Sequence, residues 1–204
     1  MTSSQSNLME ETIGILGGSF NPVHIGHLII ASYISQWGYV DKVWLTLSPQ
    51  NPLKDQRGMI PDLKRLAMLN MATRSIRDIE TSDIELSMPR PSYTINTLDA
   101  LSKAHPAKRF KLIIGSDNWR IFSQWREHQR ILDEYGVIVY PRPGYEIERM
   151  AVDGMEVAHA PLVDISSTFI RNAIAQGKDC SLFLPQGVFK YISDNKFYRA
   201  KTVK

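Results

Sequence analysis

The stretch Gly17-Gly18-Ser19-Phe20-Asn21-Pro22-Val23-His24-Ile25-Gly26-His27 gathers residue types suited to holding a phosphate. Glycines let the backbone approach a ligand, and Asn21-Pro22 turns the chain. A helix starting just after offers unpaired N–H groups and a dipole that favours an anion. His24 and His27 stand three apart, so on a first helical turn both imidazoles face one side and can donate together to phosphoryl oxygens. Such a site stabilises charge and needs no nucleophile. For the glycine pair alone, an ordinary tight turn with two surface or capping histidines is the better reading. A zinc site would need further ligands that neither Cys180 nor a nearby carboxylate pattern supplies. The spacing is not G-x-G-x-x-G, which argues against hydride transfer.

A second cluster, Ile165-Ser166-Ser167-Thr168-Phe169-Ile170-Arg171, offers hydroxyls able to cap a helix, with Arg171 one turn further in. Hydroxyls, N–H groups and a guanidinium then converge on one anion. Taken alone, a plain helix cap followed by a surface arginine is the better reading.

The elements around these clusters alternate. Thr12 to Leu16 reads as a strand ending in the glycine pair, Gly26 to Trp37 as a helix, and Lys42 to Leu47 as a second strand, the spacing of a right-handed βαβ crossover. A long polar loop, Ser48 to Ile60, carries Lys54, and Pro61-Asp62 then opens a helix bearing Leu63, Leu66, Ala67, Leu69 and Met71. Strands are expected at Ile84–Leu86, Phe110–Ile114 and Gly136–Tyr140. Helices are expected at Thr94–Ala104, Ser167–Gln176 and Pro185–Asp194. The pattern predicts an α/β fold with a doubly wound parallel sheet, ligands at the carboxyl ends of its strands, and a small C-terminal helical part. Residues 1–11 read as a frayed tail and 12–204 as a single domain.

Together the two clusters resemble the H-x-G-H nucleotidyltransferase superfamily, whose hallmarks are a glycine loop ending in H-x-G-H and a late S-S-T-x-[IL]-R. Within it the chain is most similar to the nicotinate mononucleotide adenylyltransferase family. Further landmarks fall in order between the clusters: Pro91-Ser92-Tyr93-Thr94, Ile113-Ile114-Gly115-Ser116-Asp117, Trp125 and Arg142-Pro143-Gly144. The likeness runs from about Thr12 to Tyr198. It departs at Asn21, where the family commonly has Asp, and at Leu53, where a His is common.

That resemblance implies a Rossmann-like fold and an adenylyl transfer from ATP to nicotinate mononucleotide in NAD biosynthesis, releasing pyrophosphate. It assigns the ATP side to Gly17, Gly18, Ser19, Phe20, His24, His27, Lys54, Ile165, Ser167, Thr168 and Arg171, with His24, His27 and Arg171 as the catalytic charge donors. Tyr93, Thr94, Gly115, Asp117, Trp125 and Arg142 fall to the acceptor: ribose on Asp117, pyridine ring on Trp125, nicotinate carboxylate on the Tyr93-Thr94 backbone. Read without it, Asp117 could be a helix N-cap, Arg142 the partner of a surface acid, and Trp119 as good a stacking plate as Trp125. Mg²⁺ is expected on the triphosphate oxygens with waters retained, not in a carboxylate cage.

Composition fits a packed globular chain, with 43% hydrophobic residues to build a core. A net charge of +3, with basic and acidic residues interspersed, is too weak to argue for nucleic acid or a membrane. One cysteine allows no internal disulfide and suits the cytoplasm, and no apolar run is long enough to cross a bilayer. A homo-oligomer is left open. The same H-x-G-H spells an aminoacyl-tRNA synthetase signature, but no K-M-S-K-S and no tRNA-reading domain accompany it. Another adenylyl or cytidylyl transferase of the superfamily, with pantetheine phosphate or nicotinamide mononucleotide as acceptor, and a non-catalytic nucleotide sensor on this fold are the alternatives.

Overall fold

The computed structural model describes residues 10–49, 58–147 and 152–200. Strand β1 (Glu11–Gly18) leads through the glycine loop to α1 (Ile25–Gln36) and β2 (Lys42–Leu47). After α2 (Asp62–Thr73) come β3 (Ile79–Ser82), α3 (Thr94–Ala104), β4 (Lys108–Gly115), the short α4 (Ser116–Trp119) and α5 (His128–Glu134). Strands β5 (Val137–Tyr140) and β6 (Met155–Val157), then α6 (Ser167–Ala175) and α7 (Val188–Asp194), complete the chain.

The six strands form one sheet in the order β3-β2-β1-β4-β5-β6, every neighbouring pair parallel. Strand order reverses between β1 and β4, where a parallel sheet opens a crevice at its carboxyl edge. Gly18, Gly115 and Tyr140 end three adjacent strands on that edge. Period-two alternation divides the apolar residues between two cores. Leu16, Val43, Leu45 and Leu47 pack with α1, α2, α6 and α7, whereas Ile13, Ile15, Leu112 and Ile114 pack with α3 and α5. Both faces are thus covered, as a parallel sheet requires. No described helix is long and apolar enough to cross a membrane.

Several expectations need correction. Ile84–Leu86 is not a strand but part of a 3₁₀ turn, Ile84–Ser87; the edge strand is the preceding Ile79–Ser82, whose Ile79 pairs with Val43. The turn wins because it carries Glu85 inward to hydroxyl partners that a strand would not bring to it. Helix α2 forms as expected, with Arg65, Met68, Leu69 and Ala72 buried, Leu66 and Met71 packed beside them, and Leu63 72% exposed. Strand β6 and helix α5 are too short to announce themselves by periodicity. The last helix starts at Val188 rather than Pro185. The first strand starts at Glu11, which pairs with Lys42 and Lys108, while Glu10 pairs with Arg109. The rest of the proposed tail, residues 1–9, lies outside the described residues.

Before β6, Gly154 takes φ +81°, and a Cβ there would strike the carbonyl oxygen of Leu132. Gly38 has nearly the same φ, +79°, but no described atom within 4 Å of such a Cβ. Gly38→Ala is therefore expected to cost about 1 kcal/mol, for backbone conformation alone, and Gly154→Ala at least about 2 kcal/mol. Urea unfolding of both variants checks the order, and equal losses would show that the collision is relieved.

Candidate active site

Two clefts open at the carboxyl edge and share a wall formed by Leu16, Gly17, Gly18, Asn118 and Tyr140. The first, about 290 Å³, is lined by the glycine loop, the start of α1, the start of α6 and the turn after β5. The second, about 380 Å³, lies between β1, β4, the start of α3 and Trp125.

In the first cleft, Phe20 adopts φ 42° and sets its ring edge-on to His27, 4.9 Å between centroids. His24 is the N-cap residue of α1 and its ring stacks on His27 at 3.7 Å. The His24 N–H donates to His27 Nδ1 (3.2 Å), so in a neutral His27 ring the proton lies on Nε2. His24 is 4% exposed, and its Nδ1 has no hydrogen-bond partner among the described residues. Burial, helped by the Arg142 charge, lowers its pKa from the ordinary 6.5 to about 4. The pair therefore does not supply two cations near neutral pH: His24 is a neutral group.

The α6 cluster meets the glycine loop directly. Arg171 donates to the Asn21 carbonyl (2.8 Å) and to Thr168 Oγ1 (3.1 Å), and Ser167 Oγ donates to the Pro22 carbonyl (2.8 Å). The helix cap is Ser166, whose hydroxyl accepts from the Phe169 N–H, so Ser167 and Thr168 are not the capping groups. Asn21 Oδ1 accepts from Tyr198 Oη at 2.7 Å. The amide at this departure from the family pattern is thus fully engaged by the fold. Arg65, absent from the sequence reading, is wholly buried and binds the carbonyls of Ser19, Ser48, Pro49 and Ile60 together with Asp62. The signal available for it was its place three, four and seven residues before Met68, Leu69 and Ala72 on the inward face.

Asp117 and Arg142, expected on the acceptor side, line the first cleft, 4.0 Å apart at Oδ1 and Nε. Ser116 Oγ fixes their approach, accepting from Arg142 N and donating to the Tyr145 carbonyl. Gly115 makes room, since a Cβ there would strike Asp117 Oδ1 and sit 2.8 Å from Arg142 Cγ. Asp117 is the one carboxylate among the described residues lining this cleft, and no described group of three His, Cys, Asp or Glu side chains could cage a metal.

In the second cleft, Tyr93, Thr94, Gly115 and Trp125 come together. Trp119, which competed with Trp125 for the stacking role, packs on Phe122 and lines neither cleft. Tyr93 is the N-cap of α3 but gives no side-chain cap, so this helix start turns uncapped towards the cleft. The Arg126 guanidinium lies 5.1 Å from the Tyr93 ring centre. Ser92, Thr97 and the buried Glu85 complete this wall. Lys54 and Leu53 lie outside the described residues.

The His24 geometry carries a sign. The folded pKa lies below the unfolded one, so the unfolded chain binds more protons between about pH 6.5 and 4. The stability it contributes is present above about pH 6.5 and is lost as pH falls towards 4. Between about pH 7 and pH 4.5, wild type should lose on the order of 2 kcal/mol more stability than His24→Gln, measured by urea unfolding. Parallel pH profiles would contradict the buried neutral imidazole.

The chain is similar to known proteins in sequence and in fold. The cytidylyltransferase-like family model matches residues 15–173. A probable nicotinate-nucleotide adenylyltransferase of Bacteroides fragilis is 46% identical over 180 residues, covering 88% of this chain and 90% of the relative. One from Bacteroides thetaiotaomicron is 42% identical over 195 residues, covering 95% and 96%. The solved Plasmodium falciparum nicotinic acid mononucleotide adenylyltransferase complexed with NaAD superposes with a TM-score of 0.74 over 92% of this chain and 97% of that one; at 18% identity it speaks for the fold. The chain belongs to the cytidylyltransferase-like family and, within it, to the nicotinate-nucleotide adenylyltransferases.

Proposed function

We infer that this protein transfers the adenylyl group of ATP to nicotinate mononucleotide, forming nicotinate adenine dinucleotide and pyrophosphate. The observation that carries the reading is the pair of clefts meeting at Gly17-Gly18: one lined by His24, His27, Ser167, Thr168 and Arg171, the other by Tyr93, Thr94 and Trp125. Two nucleotides laid in them bring their phosphates together at the shared wall. The relatives' names supply the acceptor.

On this reading the triphosphate lies over the starts of α1 and α6, held by Ser167, Thr168 and Arg171. ATP arrives as its magnesium complex, the ion neutralising triphosphate oxygens and keeping several waters. An acceptor phosphate oxygen attacks the α-phosphorus; the bond to the bridging oxygen breaks and pyrophosphate leaves with the electron pair. The acceptor phosphate is already ionised, so no general base is needed and the protein contributes position and charge. His27 Nε2–H donates to the developing charge, while His24 stacks behind it as a neutral plate. The expected site of action is the cytoplasm, where the buried thiol of Cys180 stays reduced.

The acceptor test is a pyrophosphate-release assay with ATP, magnesium and a panel of mononucleotides. The uncapped start of α3 offers N–H donors, which satisfy a carboxylate but face the NH₂ of a carboxamide. A donor left unpaired costs about 1–3 kcal/mol, so kcat/KM should favour nicotinate over nicotinamide mononucleotide by tenfold to several hundredfold. Parity defeats the acceptor assignment; no pyrophosphate with any acceptor defeats the enzyme.

His27→Ala should lower kcat by about 100-fold or more, as loss of a donor aimed at transition-state charge does elsewhere. Circular dichroism should report an intact fold. Turnover within threefold of wild type would remove His27 from the chemistry.

A further inference from the structure

The buried carboxylate of Glu85 has no place in the reaction described above. It sits on the 3₁₀ turn after β3, 7% exposed, against the wall of the second cleft. Ser92 Oγ donates to its Oε2 at 2.7 Å, Thr97 Oγ1 donates to its Oε1 at 3.0 Å, and the Ser48 hydroxyl also bonds to it. These three hydroxyls come from the turn before α3, the first turn of α3, and the residue after β2, whose N–H binds the Gly18 carbonyl. One carboxylate thus joins three segments that border the cleft.

Its position beside α3 matters most. Ser92 and Thr97 bracket Tyr93 and Thr94, where the helix opens without a side-chain cap. First-turn N–H groups left uncapped are poor company for each other and good company for an anion. Their direction depends on how the Ser92–Thr94 turn is set, and the bond from Ser92 to Glu85 holds that turn. A negative charge close to an acceptor carboxylate would ordinarily repel it. Here the charge is buried and met by the Ser92, Thr97 and Ser48 hydroxyls, whose donors are thereby occupied, and backbone N–H groups are left as donors for the ligand. Burial raises the Glu85 pKa and the hydroxyl bonds oppose that rise.

We propose that Glu85 is a positioning residue for acceptor choice: through Ser92 and Thr97 it aims the uncapped N-terminus of α3 at the carboxylate of the pyridine ring. The proposal rests on the nicotinate reading given above. It distinguishes Glu85 from a carboxylate that merely supports the fold, because a supporting role would not discriminate between acceptors that differ in one group.

The experiment measures kcat/KM for nicotinate and nicotinamide mononucleotide, and KM for ATP, in wild type, Glu85→Gln, Ser92→Ala and their double variant. Glu85→Gln keeps size but turns an amide NH₂ towards one of its hydroxyl partners. It should cut the nicotinate preference at least fivefold and raise KM for nicotinate mononucleotide well beyond any change in KM for ATP. Ser92→Ala should act in the same direction, and the double variant should add little to the larger single effect, because both break one linkage. Should Glu85→Gln fail to fold, Ser92→Ala decides alone, since that side chain lies at the cleft edge. If the variants fold and keep the wild-type preference and KM ratio, Glu85 does not position the acceptor. If wild type itself shows no preference, the nicotinate reading falls and takes this proposal with it.

Discussion

Arg65 has no exposed surface, and its guanidinium is divided among four backbone carbonyls and Asp62. A buried charge is costly unless every donor finds a partner, and here the four carbonyl partners belong to loops without regular structure, while Asp62 opens α2. Ser19 comes from the glycine loop, Ser48 and Pro49 from the end of β2, and Ile60 from the approach to α2. The loops cannot separate without stranding the cation, so a single side chain converts irregular backbone into a fixed surface. From that surface the rest is hung: Asn21 receives Tyr198 and Arg171, and Pro22 receives Ser167. Sheet and helices bring the segments to one edge, and Arg65 sets their spacing there.

Hydrogen bonds also explain why the first cleft gathers residues from opposite ends of the chain. Tyr198 and Asn21 are 177 positions apart, and Arg171 and Asn21 are 150 apart. Burial raises the Tyr198 pKa, so the phenol stays a donor to the Asn21 side-chain oxygen. Asparagine at this position serves as an acceptor on one side and, through Nδ2, a donor to the Gly58 carbonyl on the other. A carboxylate could fill only the first of these roles.

The glycine loop, both histidines and the α6 cluster were legible because their chemistry demands particular residue types at short, fixed spacings. Helix α3 and strand β2 were legible to the residue because strong apolar periodicity ends at clear breaks. What escaped depends on distant contacts. Arg65 and Glu85 are charged residues, and charge in a linear reading suggests solvent; only three-dimensional packing supplies the partners that permit their burial. The resemblance gives Asp117 and Arg142 to the acceptor, and the structure sets both in the first cleft beside the shared wall; which side of that wall a side chain occupies is not written in sequence order. Strand β6, three residues long, needs β5 beside it to be a strand at all.

The common wall of the two clefts has a consequence for the order of events. Two separate nucleotides each surrender their own translational freedom on binding, but a dinucleotide that fills both clefts surrenders it once. Each half then holds the other at a high effective concentration, so the joined molecule behaves as a bivalent ligand. On the proposed reading, with one nucleotide in each cleft, bond formation turns two independently escaping ligands into one that must leave two places together. On that reading the shared wall that brings the two phosphates together is also what a departing dinucleotide must leave on both sides at once.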